Sequence, residues 1–166
     1  METVHFFENS KFHANAQQLF IEQKAIIETL IPKADVQHVG STSVPNSLTK
    51  GDLDIQVRVK PEDYLYAVDT LSQLYSVNNG SISSDSFKAF KDDITEPPLG
   101  VQLTVIDTEF DFFWKFRDVL LTNDHYRAEY DDLKRNYDGK DMDDYREAKN
   151  TFFEWLMQTP EFESIG

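Results

Sequence analysis

Nine consecutive residues, Asp52-Leu-Asp-Ile-Gln-Val-Arg-Val-Lys60, alternate polar and apolar without a break. Successive side chains on a strand point to opposite faces, so Leu53, Ile55, Val57 and Val59 share one face. Asp52, Asp54, Gln56, Arg58 and Lys60 share the other. A chain with this stretch needs a sheet that has one face on a core and one polar face. Two carboxylates at i and i+2 on that polar face lie a few ångströms apart and repel each other, a strain that a divalent cation relieves.

The flanking sequence supplies the other elements. Phe12, Ala16, Leu19, Phe20, Ile26, Ile27 and Leu30 recur at helical spacing, which predicts a helix from about Ser10 to Leu30, stopped near Pro32. Asp35–Val39 reads as a short strand running into Gly40. Pro61, tolerated in a first helical turn, opens a helix through about Tyr75. The turn-rich stretch 76–100 leaves room for a short strand near 86–90, and Val101–Ile106 alternates as a third strand. From Thr108 the pattern is helical, with Thr108-x-x-Asp111 resembling a capping box. Three aromatic stripes follow: Phe112, Phe113 and Phe116; Tyr126, Tyr130 and Tyr137; Tyr145, Phe152 and Trp155. Their spacing predicts core packing. The fold class is α+β, a single domain over 1–166 with a small mixed sheet (about 33–107) and a helical C-terminal part (about 108–157).

Charge narrows the partners. Thirty acidic residues against sixteen Lys and Arg give −14 over 166 residues, which disfavours DNA, RNA or an anionic membrane surface. The absence of cysteine excludes disulfides, thiolate metal sites and a thiol nucleophile. No apolar run reaches the roughly 18–20 residues of a membrane span. The opening METVHFFENSK has no basic segment followed by an apolar one, so a cytoplasmic protein is expected.

Chemistry concentrates in two neighbouring features. Val39-Gly40-Ser41-Thr42-Ser43 ends the first strand, where a glycine lets backbone N–H groups approach a phosphate and the Ser41, Thr42 and Ser43 hydroxyls add donors. About ten residues later comes the Asp52/Asp54 pair. The combination resembles the nucleotidyltransferase fold. More narrowly, His38-Val-Gly-Ser-Thr-Ser-Val-Pro45, with Lys50 and Asp54-Ile55, is similar to the signature of the GrpB family. Phe116-Arg117-Asp118, Leu133-Lys134 and Tyr145-x-x-x-Lys149 extend that resemblance over about residues 6–157. It implies that Gly40, Ser41, Thr42, Ser43 and Lys50 receive phosphates, and that Asp52 and Asp54 are catalytic and hold Mg²⁺ or Mn²⁺. His38, Arg58, Gln102 and Thr104 become candidate lining residues.

The chain departs from the family pattern in places. Asn46 and Gly51 stand where relatives carry Gly and Pro, and Asp52 stands where many are apolar. Gln102 and Thr104 occupy third-strand slots where a His-x-His-like pattern is common. A nucleotidyltransferase normally has a third carboxylate on that strand. The nearest, Asp107, has the parity of the core-facing residues, so the third carboxylate is missing.

Other residues have plainer readings. The four dispersed histidines lack ligand spacing, and His38 reads as a hydrogen-bonded structural residue. Lys88 and Lys91 read as surface, and Asp138–Asp144 as a solvated loop. Residues 38–60 are net +1 whereas 107–147 are −6, which suits a nucleotide or phosphorylated small molecule. Three functions follow: a metal-dependent nucleotidyltransferase, a nucleotide or phosphometabolite binding module without chemistry, or an acidic protein–protein adaptor. The oligomeric state is not legible.

Overall fold

The computed structural model describes residues 1–165. In chain order the elements are β1 (Phe7–Glu8), α1 (His13–Leu30), β2 (Asp35–Val39), β3 (Leu48–Thr49), β4 (Leu53–Val59), α2 (Tyr64–Leu74), β5 (Ser76–Val77), β6 (Phe87–Asp92), β7 (Leu99–Val105), α3 (Phe113–Thr122), α4 (Asp124–Tyr137), α5 (Met142–Leu156) and α6 (Pro160–Glu163). The main sheet has the order β2-β4-β7-β6-β5, and β1 pairs with β3 as a separate ribbon. β4 and β7 run parallel; the other pairings are antiparallel. This is the mixed-sheet α+β architecture expected from the alternation.

One face of the sheet carries the main core. Leu53, Ile55 and Val57 of β4 and Val101 and Leu103 of β7 are fully buried against Ala16, Phe20 and Ile27 of α1 and Ala67 and Leu71 of α2. Full burial of each large aliphatic side chain contributes about 1.5–3 kcal/mol.

The other face is polar but not solvated along its whole length. Gln56 and Thr104 are fully buried, because α3 lies across this half of the sheet. Arg58 forks onto Asp111, Nε to Oδ1 and Nη2 to Oδ2 at 2.7 Å each, and its Nη1 reaches Asp35 at 2.6 Å. Gln56 donates to Thr104 and Asp111, both at 2.9 Å, and accepts from the Trp114 amide at 3.0 Å. These bonds tie the start of α3 to the sheet.

Several boundaries differ from expectation for local reasons. Asn9–Lys11 form a 3-10 turn, so α1 starts at His13. Thr108 and Asp111 do not form a capping box: the Thr108 hydroxyl donates to the Val105 carbonyl, and Asp111 is taken by Arg58. The sixth strand runs to Asp92 rather than ending at Phe90. Asp141, expected in a solvated loop, caps α5 by accepting from the Asp144 amide. A second core, built on Val119, Leu120, Tyr126, Tyr130, Phe152 and Leu156, holds the C-terminal helices together. Among the described residues no helix is long and apolar enough to cross a membrane.

Candidate functional site

Towards the start of β4 the polar face is left uncovered and becomes part of a cleft of about 590 Å³. Gly40, Ser41, Lys50, Asp52, Asp54 and Gln102 line its sheet side. Phe112, Phe116, Tyr130, Tyr145, Lys149 and Phe153 line its helical side.

Asp54 sits between two glycines. The strand pairing places Val39, followed by Gly40, on one side of Asp54 and Gly100 directly opposite it on the other. A Cβ on Gly40 would come within 2.3 Å of Asp54 Oδ2, and one on Gly100 would lie 3.4 Å from Oδ1. Gly40 also has φ +74° and ψ −175°, a conformation that is essentially glycine-only. The glycine after β2 therefore makes room for a carboxylate as well as for a turn.

The two carboxylates have no protein partner among the described residues. Asp52 accepts from Thr42 through its main-chain carbonyl at 3.1 Å, which leaves its carboxylate free. Burial pushes the Asp54 carboxyl up to about 6; Lys149 opposes that rise, Asp52 adds to it and Lys50 opposes it. Lys149 is lowered from the ordinary lysine range by burial and by Lys50, with Asp54 pulling the other way. Asp52, Asp54, Lys50 and Lys149 thus face one cavity without direct ion pairs, and the exposed Glu154 lines the same cavity.

The turn beside them is held rigidly. Asn9 Nδ2 donates to the carbonyls of Ser41, Thr42 and Val44 at 3.3, 3.1 and 2.8 Å. His13 Nδ1 lies 2.9 Å from the Thr42 carbonyl, and Ser41 Oγ lies 2.7 Å from Thr49 Oγ1. The turn is a three-residue 3-10 segment, Ser41–Ser43, so it carries no helix macrodipole of consequence. Any phosphate there would rest on Gly40 and Ser41, not on the end of a longer helix.

His38, Thr42, Ser43, Arg58 and Thr104 lie outside the cleft lining. His38 is buried, stacks on Phe20 and bonds Gln17 at 3.1 Å and Thr42 at 3.0 Å; burial pulls it down to about 4, helped by His13 and Arg117. Its contribution is positional, through Thr42 to the Asp52 carbonyl. Ser43 turns its hydroxyl back to the Gly40 carbonyl. Arg58 and Thr104 are committed to the mount beneath α3. Asp107 is exposed, with φ +63°, and offers the site no third acid.

The reading of the aromatic stripes as core missed part of the site: Phe112 and Phe116 are part-exposed and, with the part-exposed Phe153, which no stripe included, form the apolar wall. Lys134 was also hidden, legible only in the family-like Leu133-Lys134. Its buried ammonium donates to Ser47 Oγ at 2.9 Å and the Leu48 carbonyl at 2.7 Å, lies 3.5 Å from Asp131, and sits over the Tyr130 ring. Burial brings it down to about 7 despite Asp131. It pins the segment between the turn and β4 to α4.

The donor set suits one divalent cation rather than two. Asp52 and Asp54 supply two charged oxygens, and among the described residues no group of three or more His, Cys, Asp or Glu converges. The buried Gln102 amide oxygen makes no hydrogen bond and is a neutral donor on the neighbouring strand. Ligand oxygens and waters would have to complete a six-coordinate shell.

Comparison with known proteins bears on the fold and the family. A UPF0157 protein of Vibrio cholerae serotype O1 is 29% identical over 157 residues, covering 94% of this chain and 83% of the relative. The crystal structure of the conserved protein GrpB from Enterococcus faecalis superposes with a TM-score of 0.59 at 22% identity, covering 73% of this chain and 76% of that one. The Cid1 poly(U) polymerase with MgGTP bound gives 0.42 at 12% identity, covering 70% of this chain and 42% of that one, too distant to bear on function. The family model described as GrpB protein matches residues 10–159, a span that runs from α1 through the Gly-Ser turn and the acidic strand to α5 on the helical side of the cleft, and the chain belongs to the GrpB family.

Proposed function

We propose that the cleft binds a nucleoside triphosphate with one divalent cation and transfers its nucleotidyl group to a small acceptor. The observation that supports this most is the unpartnered Asp52/Asp54 pair, held beside the Gly40–Ser41 turn and facing Lys50 and Lys149. A buried carboxylate without a donor is costly unless a cation compensates it. Lysines without a counter-ion are equally suited to phosphate oxygens.

Asp52 and Asp54 would hold Mg²⁺ or Mn²⁺, which when bound screens phosphate charge and polarises the α-phosphate. Gly40 lets the triphosphate approach the backbone, Ser41 offers a hydroxyl, and Lys50 neutralises phosphate charge from the rim. The helical wall excludes water from the reacting atoms. The cleft volume is enough for a nucleotide and a small acceptor together.

A second reading is binding without chemistry. Gln102 on β7 favours it, because an amide cannot take a proton. Incubation with α-labelled nucleotides, Mg²⁺ or Mn²⁺ and a broad acceptor panel separates the two. Transfer of label with pyrophosphate release supports the enzyme; tight metal-dependent binding with no transfer to any acceptor leaves the binding module. No nucleotide binding at all returns the acidic adaptor.

A further inference from the structure

Transfer to an alcohol needs a group to remove the hydroxyl proton, and no side chain on the sheet side of the cleft is placed for it. Gln102, in the β7 position level with Gln56, has no basic site. Thr104 is buried and receives the Gln56 amide, and Asp107 faces solvent beyond the strand. Asp52 and Asp54 are the metal ligands of the reading above. On the helical side, Glu154 also lines the cleft but is solvent-exposed at its outer edge, and Tyr130 and Tyr145 hydrogen-bond each other at 3.0 Å, with burial raising both. Lys134 already donates to Ser47 and Leu48.

What the cleft does offer is unsatisfied positive charge. Lys149, presented by α5 towards the acidic floor, makes no ion pair, and neither does Lys50 at the rim. Lys50 serves the triphosphate in that reading, leaving Lys149 without a ligand. Beyond Lys149 the same helix carries Phe153, 4.4 Å from Phe116 ring to ring, so an apolar wall adjoins the ammonium.

We propose that the acceptor is already an oxyanion, a phosphate monoester or carboxylate with an apolar body, held by Lys149 and lodged against Phe116 and Phe153. This rests on the nucleotidyl-transfer reading. The acceptor oxygen uses a lone pair to form the new bond to the α-phosphorus. The bond from that phosphorus to the α–β bridging oxygen breaks, and pyrophosphate leaves with the electron pair. No proton moves, so no base is required. The anhydride product follows from the same balance.

Benzyl phosphate and phenylacetate, each compared with benzyl alcohol, test the idea by two readouts. In calorimetry without metal or nucleotide, both anions bind and benzyl alcohol binds at least tenfold more weakly. Lys149→Ala reduces anion affinity roughly tenfold or more, as loss of a charged hydrogen bond does, and Lys149→Arg restores most of it. In pyrophosphate-release assays with Mg²⁺ and nucleotide, at least one anion supports turnover faster than benzyl alcohol. Equal or faster turnover with the alcohol overturns the proposal, as does unchanged anion affinity in Lys149→Ala. Failure of nucleotide to bind, or binding with no turnover on any acceptor, overturns the nucleotidyl-transfer reading instead, and the calorimetric comparison separates the two failures.

Discussion

Gly40 and Asp54 are adjoining parts of one site: a side chain at Gly40 would begin 2.3 Å from the Asp54 Oδ2. The turn and the acidic strand are thereby coupled, because the only residue that fits the backbone at position 40 is also the one that leaves the carboxylate its space.

Gly40→Ala therefore strains the backbone and displaces the Asp54 carboxylate. A stability loss of about 2 kcal/mol or more is expected in denaturant melts, together with loss of metal-dependent nucleotide binding. Retention of both would contradict the coupling.

Gly100→Ala separates geometry from strain. Its backbone has an ordinary φ, and the new Cβ would press on side-chain ends, Gln102 Nε2 at 3.3 Å and Asp54 Oδ1 at 3.4 Å, with the Phe90 carbonyl at an ordinary van der Waals distance of 3.9 Å. Stability should change by less than about 1 kcal/mol, since reduced unfolded-state freedom offsets the tight contacts. Metal-dependent nucleotide affinity should still fall, because Asp54 must give way. An unchanged affinity at unchanged stability is the adverse result.

Asp54 and His38 impose opposite pH dependences. Asp54 is raised from 3.8 to about 6, so the folded state holds its proton longer, and the stabilisation present below pH 4 is lost as pH rises to about 6. His38 is lowered from 6.5 to about 4, so stability present above 6.5 is lost as pH falls towards 4. Each shift corresponds to about 3 kcal/mol, and the two offset each other across pH 4–6.5. In metal-free protein, Asp54→Asn should melt higher at pH 7 and lose stability on acidification. His38→Gln should gain stability on acidification. Melting curves from pH 4 to 7 with parallel slopes in the two variants would sink this account.

Asp111→Ala removes the acceptor of a bidentate guanidinium and exposes Gln56 and the Asp107 amide to an empty partner. Breaking such a buried pair costs about 3 kcal/mol. Although burial raises Asp111, its bonds from Arg58 hold it below the usual carboxylate range. That contribution is present above the unfolded value and lost as pH falls, so the variant should also be less sensitive to acid. Thermal melts at pH 7 and pH 4 measure both effects.

Period-two alternation made β4 legible because a half-buried strand must alternate, and Asp54 in the strand and Asp52 just before it both line the cleft. It could not tell that the same face is roofed at Gln56 and open at Asp54. That distinction depends on where α3 lands, which Arg58 and Asp111, 53 residues apart, decide between them. Helical spacing likewise identified the Phe112/Phe116 and Tyr145/Phe152 stripes without showing that part of each turns into a cavity rather than into the second core, and it passed over Phe153 beside them. His38 reads the same in sequence whether it faces ligand or protein; its Gln17 and Thr42 bonds, formed across 21 residues and four residues, settle it as structural.

The central claim, that Asp52 and Asp54 form a cation-dependent nucleotide site, is tested most directly by titrating nucleoside triphosphates calorimetrically with Mg²⁺ or with chelator. The native protein should bind only with metal, Asp52→Asn should bind more weakly, and Asp54→Asn, which loses the carboxylate fixed between Gly40 and Gly100, should not bind. Full Mg²⁺-dependent affinity in both variants would contradict it and leave the pair as an unused strand face.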